Sequence, residues 1–490
     1  MTETNIPSIK RNFFYYTIFQ ILTVIVPFIT APYLSRILGA ERIGIQSYTE
    51  SVVAYFSMFA VLGTATYGTR EVAINRGDKI RASQIFWEIE TLKLIIGSVV
   101  LAGWVVFIFF SDAYRIYYTV LTVELVSVLF DITWFFNGFE QIGFIVIRNG
   151  IIKMLNVAAI FILVKKQDDL LLYIAITALS KFVSSICTYA YLPKFLVKTK
   201  NLNFWSNIKI HFRETIIYFI PAISTSVYQI LDKILIGLIV KEPAQNGYYE
   251  QSERLVDMVK QVVFASMNLV MGVRNSYLFG QKQFREIKQK IALSMNYIMF
   301  MGVACGFGIV AVAARFVPLF YGEGYGQVVY ILYIFAALPA IVGISSCLGS
   351  QYFNPVGKRK QSAIYIIIGS VINLVLNLIL IPRLASYGAA IATVIAEIVI
   401  SSLYVAKSDS FMTFLILFRI VWKKFLAGVV MFCALFAFGR TVNLSDGVMV
   451  SMQIVIGILI YPISLLLLKD EFLIFFIKKI ASRTCKGMYK

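Results

Sequence analysis

Apolar stretches of about twenty residues, each long enough to cross a hydrocarbon core of roughly 30 Å as a helix, recur from Phe13 almost to the C-terminus. The stretches show no alternation of apolar and polar positions, which excludes a transmembrane barrel. Breakers and charged connections divide the chain into about 14 such stretches. The pattern therefore predicts an all-α polytopic membrane protein with about 14 transmembrane helices.

We place the predicted helices in two pseudo-symmetric lobes and a C-terminal addition. An N-terminal six-helix lobe covers residues 1–192, with spans at 13–34, 43–63, 85–110, 116–136, 143–164 and 170–192. A basic cytoplasmic connector, residues 193–213, leads to a C-terminal six-helix lobe at 214–406, with spans at 214–240, 247–271, 291–314, 326–350, 362–381 and 386–406. Residues 407–490 hold two peripheral helices, at 420–439 and 448–468, and a basic cytoplasmic tail.

An internal repeat supports the two lobes. Gly44 and Gly247 each open the second span of a lobe, and Glu50 and Glu253 follow them at the same offset of 203 residues. The first span of each lobe is also interrupted by a proline, Pro27 in the first lobe and Pro221 in the second. Interrupted helices at matching places in two halves of a membrane protein are typical of transporters.

Composition agrees with lipid as the solvent of this chain. Of 490 residues, 59% are hydrophobic and 14% charged, and the mean hydropathy is +0.79. Too little polar surface remains to cover a soluble globular protein. The first twelve residues lack the apolar core and cleavage site of a secretory signal, so we expect the first span to be a permanent helix.

The net charge of +19 fits the positive-inside rule better than a nucleic-acid partner, which we do not expect. With both termini in the cytoplasm, the cytoplasmic segments carry roughly three times as many Lys and Arg residues as the outer loops. This asymmetry supports both the number of spans and their orientation.

Ionisable residues inside the spans are the main functional signal, because a charge at the bilayer centre costs roughly 2.5–3.5 kcal/mol. Seven cations fall within the predicted spans of the two six-helix lobes: Lys93, Arg148, Lys153, Lys181, Lys233, Arg254 and Lys260. Carboxylates accompany them at Glu50, Glu124, Asp131, Asp232, Glu250, Asp257 and Glu397.

Two explanations of these charges remain open. Glu250 and Arg254 have the i, i+4 spacing of a helical ion pair, so pairing can be purely structural. Lys181 is harder to explain in this way, because it lies near mid-span on a stripe of hydroxyl residues. Alternatively, the cations line a water-filled cavity and attract an anionic substrate, while the carboxylates couple transport to a proton or another cation.

Metal and cofactor chemistry find little support in the sequence. The chain has one histidine, His211, and five cysteines without the paired spacing of metal ligands or of a disulfide framework. We expect neither a metal nor a cofactor. The residues alone predict an alternating-access carrier with a charged centre.

Several segments resemble the polysaccharide repeat-unit flippases, the Wzx-type proteins of O-antigen, capsule and exopolysaccharide synthesis, within the multidrug, oligosaccharidyl-lipid and polysaccharide exporter superfamily. We call these segments the signature segments. They are APYLSRILGAERIGIQSYTESVVAYF from Ala31, GTATYGTREVA from Gly63, DITWFFNGFEQ from Asp131, IPAISTSVYQILDKILIG from Ile220 and NGYYEQSERLVDMV from Asn246. The matching residues are Pro32, Tyr33, Arg36, Gly39, Gly68, Arg70, Glu71, Trp134, Asn137, Gly138, Glu140, Asp232 and Lys233.

The resemblance implies a transporter, not an enzyme, that moves undecaprenyl-diphosphate-linked oligosaccharide from the cytoplasmic to the outer leaflet of a bacterial cytoplasmic membrane. It implies membrane lipid, a polysaccharide polymerase and chain-length machinery as further partners. The diphosphate is the anion that buried cations would meet. The candidates for this cationic site are Arg254, Lys181, Lys233, Lys153, Arg36 and Arg70, and the ion-coupling candidates are the seven carboxylates named above. Gly39, Gly68 and Gly138 are expected to shape turns.

Two rival functions stay open at this stage. A membrane-embedded polysaccharide polymerase or glycosyltransferase handles the same substrate, but it would be expected to have a long outer loop, and every outer loop predicted here is short. A cation-coupled multidrug exporter of the same fold would share the acidic interior, but it has no need of so many buried cations.

Overall fold

The computed structural model describes residues 9–199 and 204–487, and no β-strand occurs in this part of the chain. Residues 200–203 of the predicted connector and both extreme termini lie outside it. So do most side chains between Ile220 and Gln229, in one of the signature segments.

Seventeen α-helices form within the described residues. The first nine are α1 Ile9–Val61, α2 Thr64–Asn75, α3 Lys79–Phe110, α4 Arg115–Leu129, α5 Thr133–Gly138, α6 Ile142–Leu163, α7 Leu170–Tyr189, α8 Phe204–Ile239 and α9 Pro243–Lys260. The others are α10 Ser266–Gly280, α11 Phe284–Tyr321, α12 Gly326–Phe335, α13 Leu338–Leu348, α14 Arg359–Ala406, α15 Phe414–Thr441, α16 Asp446–Leu467 and α17 Glu471–Gly487. Two 3-10 turns, Gln167–Asp169 and Leu192–Lys194, and two π-helical turns, Gln261–Ala265 and Gly349–Phe353, join neighbouring helices.

By length and composition, nine helices in the described part can cross a membrane, or ten if the bent pair α12 and α13 with its π-helical end forms one span. The prediction of an all-α multi-pass membrane protein is therefore confirmed. Two of the long helices contain a non-helical residue, Gly39 with φ 74° in α1 and Ala385 with φ 47° in α14. Each of these residues lies where the sequence predicts the end of one span and the start of another. The full count of 14 and the cytoplasmic termini stay predictions.

The chain divides into two compact units, Met1–Gly247 and Tyr248–Lys490. We call them unit 1 and unit 2 and describe each by itself. The lobe boundaries predicted from the sequence, at residues 193–213 and at 407, stay predictions.

In unit 1 the two glycines of the predicted repeat lie against each other. A Cβ atom on Gly247 would stand 3.2 Å from the amide nitrogen of Gly44 and would collide with the carbonyl oxygen of Ala40. A Cβ on Gly44 would collide with the carbonyl of Pro243. Only glycine permits two backbones to approach this closely. The repeat-related positions therefore form a close helix crossing.

An aromatic core lies where α2, α3 and α5 meet in unit 1. Phe86 of α3 stacks on Trp134 of α5 with ring centroids 5.9 Å apart, and Phe135 packs edge-on against Phe86 at 4.9 Å. Tyr67 of α2 belongs to the same buried cluster. Aromatic burial of this kind fixes short helices that could not form alone.

In unit 2 a buried ion pair attaches the C-terminal helices to the rest of the unit. Lys424 of α15 and Asp470, just before α17, have side chains only 1% and 6% exposed, and their charged atoms are 3.1 Å apart. Lys424 also donates to Asn296 of α11 at 3.0 Å. Lys424 lies near the start of the predicted span 420–439, but it was not among the charged residues singled out from the sequence.

We predict that Lys424→Ala destabilises the protein by about 3–5 kcal/mol, because it leaves Asp470 as an uncompensated buried charge. Thermal unfolding of the purified protein in detergent, followed by fluorescence, measures the loss. Lys423→Ala is the matched control, since its ammonium donates only to the exposed carbonyl of Lys469. Equal stability of the two variants would contradict the structural role of the pair.

Candidate functional site

Three neighbouring helices of unit 1, α4, α6 and α7, bring polar side chains together at membrane depth. α7 packs against both α4 and α6. Residues three or four apart share one face of a helix, so each helix contributes a stripe. We call this surface the polar face; it consists of Glu124, Arg148, Asn149, Lys153, Asn156, Lys181, Ser184 and Thr188.

An ion pair joins α4 and α7 on the polar face. The ammonium of Lys181 lies 2.5 Å from Oε1 of Glu124, and Glu50 of α1 adds a second negative charge within electrostatic range. The Glu124 side chain is 12% exposed and that of Lys181 is 49% exposed. The second oxygen of Glu124, Oε2, is buried and has no hydrogen-bond partner among the described groups. Oε2 of Glu124 can therefore accept a further hydrogen bond or a proton.

Arg148 and Asn149 join α6 to the other end of α7. Arg148 donates to the hydroxyl of Thr188 and to Oδ1 of Asn149, the latter at 2.7 Å. Ser184 donates to the same amide oxygen at 3.1 Å.

Asp131 lies within electrostatic range of Arg148. Its Oδ1 accepts the amide N–H of Thr133 at 2.9 Å in the turn before α5, which gives this carboxylate a structural role.

Lys153 differs from the other cations of the polar face. It is the twelfth of 22 residues in α6 and is partly buried. It makes neither a hydrogen bond nor an ion pair with any residue that the structure describes. Asn156, one turn further along, has a buried Oδ1 that also lacks a described partner. An unpaired ammonium and an unpaired amide oxygen therefore share one stripe in the middle of an apolar helix.

Lys153 and Lys181 lie at the same level of the unit. Consecutive membrane helices joined by a short turn run in opposite directions. Lys153 follows Asn149 by one turn, and Lys181 precedes Ser184 by one turn, while Asn149 and Ser184 touch. The two lysines therefore lie at a similar depth on neighbouring helices, and Lys181 already faces the Glu124 carboxylate.

The predicted site residues of unit 2 pair along their own helix. Glu250 accepts from Arg254 at 3.0 Å, with side chains 16% and 22% exposed. Asp257 and Lys260 are 2.5 Å apart. Glu397 of α14, which is 9% exposed, lies within electrostatic range of Lys260. The structural explanation by ion pairing therefore applies to Arg254 and Lys260, and a substrate contact for Arg254 stays a prediction.

The remaining predicted cations, Arg36, Arg70 and Lys233, belong to helices other than α4, α6 and α7. Arg70 is exposed and pairs with its neighbour Glu71 at 2.8 Å, and Arg36 is exposed on α1. On α8, Asp232 is buried at 3% exposure, and the backbone carbonyl of Lys233 accepts from Asn246 at 2.9 Å. Roles for these four residues in substrate binding or coupling stay predictions.

Two signature segments form one packed junction. A Cβ on Gly68 of α2 would stand 2.5 Å from the ring of Trp134, and one on Gly138 of α5 would stand 2.7 Å from Val72. Thr69 also donates to the carbonyl of Trp134 at 3.0 Å. Gly68 and Gly138 therefore allow close helix packing and do not shape turns as expected.

A turn at Gly39 and a tyrosine anchor characterise the first signature segment. Gly39 has φ 74° and breaks α1, as the sequence predicts. The hydroxyl of Tyr33 donates to the carbonyl of Val164 at 2.7 Å and so fastens α1 to the end of α6. These contacts give the signature residues a role in packing.

Two buried carboxylates of α3, Glu88 and Glu90, were not among the residues singled out from the sequence, which named only Lys93 on this helix. Glu90 and Lys93 are both almost fully buried and 2.9 Å apart. Glu88, with 0% exposure, lies 2.8 Å from Nε2 of His211. The available signal was two glutamates and a lysine at the start of a predicted span. Glu90 and Lys93 have the i, i+3 spacing of a helical pair, whereas the partner of Glu88 lies 123 residues further along the chain.

Within the described residues, no group of three His, Cys, Asp or Glu side chains could hold a metal ion. The fold and the polar face define a multi-pass helical membrane protein with a charged interior. Residues 9–271 match the family model described as "Polysaccharide biosynthesis protein", and the chain belongs to that family. The resemblance of the signature segments is confirmed at this level.

Curated relatives cover most of the chain. A protein of Shigella dysenteriae named "Putative O-antigen transporter" is 24% identical over 76% of this chain and 93% of its own length. A Haloferax volcanii protein named "Probable low-salt glycan biosynthesis flippase Agl15" is 22% identical over 89% of this chain and 90% of its own length.

Solved structures of exporters share the fold. A structure titled "Lipid II flippase MurJ, inward closed conformation" aligns with TM-score 0.74 at 14% identity, over 93% of this chain and 99% of that one. An inward-facing multidrug resistance MATE family transporter aligns with TM-score 0.57 at 14% identity, over 86% of this chain and 100% of that one. At such identities the likeness concerns the fold alone.

Proposed function

We propose that this protein is a flippase that moves undecaprenyl-diphosphate-linked oligosaccharide from the cytoplasmic to the outer leaflet of a bacterial cytoplasmic membrane. It works by alternating access and is coupled to an ion. The names of the Shigella and Haloferax relatives support the substrate class, because one is named for O-antigen transport and the other for flipping in glycan biosynthesis.

The unpaired ammonium of Lys153 carries the proposal. An unmatched cation at membrane depth costs roughly 2.5–3.5 kcal/mol, and no neighbour among the described residues offsets that cost with a hydrogen bond or an ion pair. A diphosphate group would offset it, since charge-assisted hydrogen bonds from an ammonium to phosphate oxygens are strong. A cationic drug would be repelled by the same group, so the polar face favours a lipid-linked anion over the substrates of a multidrug exporter.

Lys181 and Glu124 connect substrate binding with proton binding. When Glu124 is ionised, it competes with the diphosphate for the ammonium of Lys181, 2.5 Å away. Proton uptake on Glu124, whose Oε2 has no described partner, removes that competition and frees Lys181 for the substrate. Proton and substrate therefore favour each other's binding, which is the linkage that an ion-coupled carrier needs.

We predict that Lys153→Met lowers the flipping rate about tenfold to a hundredfold, which corresponds to the roughly 1.5–3 kcal/mol of a hydrogen bond to a charged group. The purified full chain is reconstituted in liposomes with a diphosphate-linked oligosaccharide lipid. A membrane-impermeant probe then measures how much sugar becomes accessible from outside.

Lys153→Arg should retain most of the rate because it keeps the charge, and Lys198→Met, at an exposed position outside the membrane helices, is the control for loss of a cation. Sugar exposure by Lys153→Met at the wild-type rate would contradict the role of Lys153. Growth of the sugar chain or drug efflux without flipping would favour one of the rival functions.

We predict that Glu124→Gln makes flipping independent of an imposed pH gradient, because a neutral amide cannot take up a proton or compete for Lys181. The same assay, run with and without a gradient, gives two rates that differ for the wild type and agree for this variant. Glu323→Gln, at an exposed position, should behave as the wild type. A gradient effect that persists in Glu124→Gln would place the coupling site elsewhere.

A further inference from the structure

Three helices of unit 1 hold a buried chain of titratable groups away from the polar face. Oη of Tyr67, on α2, lies 2.7 Å from Nδ1 of His211, on α8. Nε2 of His211 lies 2.8 Å from Oε2 of Glu88, on α3. Tyr67 and His211 are each 4% exposed, and Glu88 is 0% exposed. The imidazole therefore bridges a phenol and a carboxylate out of contact with solvent.

The neighbours of Glu88 connect these three hydrogen-bonded groups to the protein surface. Asn207 of α8 donates to Oε1 of Glu88 at 2.5 Å. The guanidinium of Arg81, on α3, lies 3.5 Å from Oε2 of Glu88, the oxygen that also contacts His211. The Arg81 side chain is 38% exposed, so water reaches the group next to the carboxylate. Three further charged groups lie within electrostatic range of Tyr67: Arg70 and Glu71 on α2, and Glu214 on α8. The phenol of Tyr218, also on α8, lies near Tyr67 as well.

His211 can take up one proton and still keep its hydrogen bonds to Tyr67 and Glu88. With neutral imidazole, Nε2–H donates to the Glu88 carboxylate and Nδ1 accepts the Tyr67 hydroxyl hydrogen. Uptake of a proton forms a new N–H bond at Nδ1, and the Tyr67 oxygen changes from donor to acceptor. The imidazolium and the Glu88 carboxylate then form a buried ion pair.

We propose that Glu88, His211 and Tyr67 form a proton-binding site that makes the flipping rate depend on the pH at the membrane face from which Arg81 is reached. The effect on rate rests on the proposed function. Protonation strengthens the contact between α3 and α8 and reverses the hydrogen bond between α2 and α8. The same helix, α8, continues to the buried Asp232, and α2 belongs to the junction of the signature segments. Protonation of the site therefore changes the contacts at the place where α2, α3 and α8 meet.

The first test uses the only histidine of the chain as its own reporter. Nitrogen-15 histidine labelling of the full-length protein in detergent gives one imidazole signal. We expect its nitrogen shifts to change between about pH 5 and 8, and Glu88→Gln to move that change to lower pH, because the amide no longer stabilises the imidazolium. No change in this range, or an unaltered midpoint in Glu88→Gln, would overturn the site.

The second test measures flipping in liposomes with equal pH on both sides. The wild-type rate should change severalfold between about pH 5 and 8, whereas His211→Gln should give a nearly constant rate. Lys79→Gln, at an exposed position at the start of α3, should retain the wild-type pH profile. A wild-type profile in His211→Gln would overturn the regulatory role. Absence of flipping by the wild type at every pH contradicts the proposed function instead, and the imidazole titration still tests the proton site by itself.

Discussion

Matching of charge in a lipid environment is the constraint on which this structure depends. Inside the apolar helices nearly every ammonium whose contacts are described lies next to a carboxylate, as Lys93 does to Glu90, Lys181 to Glu124 and Lys424 to Asp470. These pairs join helices or fix a turn, so they stabilise the fold while they satisfy the charge. Lys153 departs from this rule among the described residues. A departure that is costly in lipid is a functional signal.

Most residues that carry the family resemblance differ from Glu124, Lys153 and Lys181, which carry the proposed diphosphate site. Gly68, Trp134 and Gly138 pack helices against each other, and Tyr33 anchors one helix on another. The signature therefore preserves a framework. Lys153 and Lys181 lie outside the signature segments, on the faces of helices that this framework holds in place. A framework shared with exporters of unlike substrates can in this way support a site for an anionic lipid.

Local patterns in the sequence predicted more than long-range contacts did. Apolar runs predicted the membrane helices, and the i, i+4 spacing predicted the pair of Glu250 with Arg254. Partners separated by most of a lobe, such as Glu88 and His211, could not be found, because no spacing rule relates residues on helices that meet only in the folded chain. The role of Gly68 was mistaken for the same reason, since its neighbour Trp134 comes from another segment.

Selective binding of the diphosphate group tests the central claim most directly. The affinity of the purified full chain is measured for undecaprenyl diphosphate and for uncharged undecaprenol, with the wild type and with Lys153→Met. We expect the wild type to bind the diphosphate lipid at least about tenfold more tightly, and Lys153→Met to lose most of this preference while its affinity for undecaprenol is unchanged. Equal affinities in the wild type, or an undiminished preference in Lys153→Met, would contradict it.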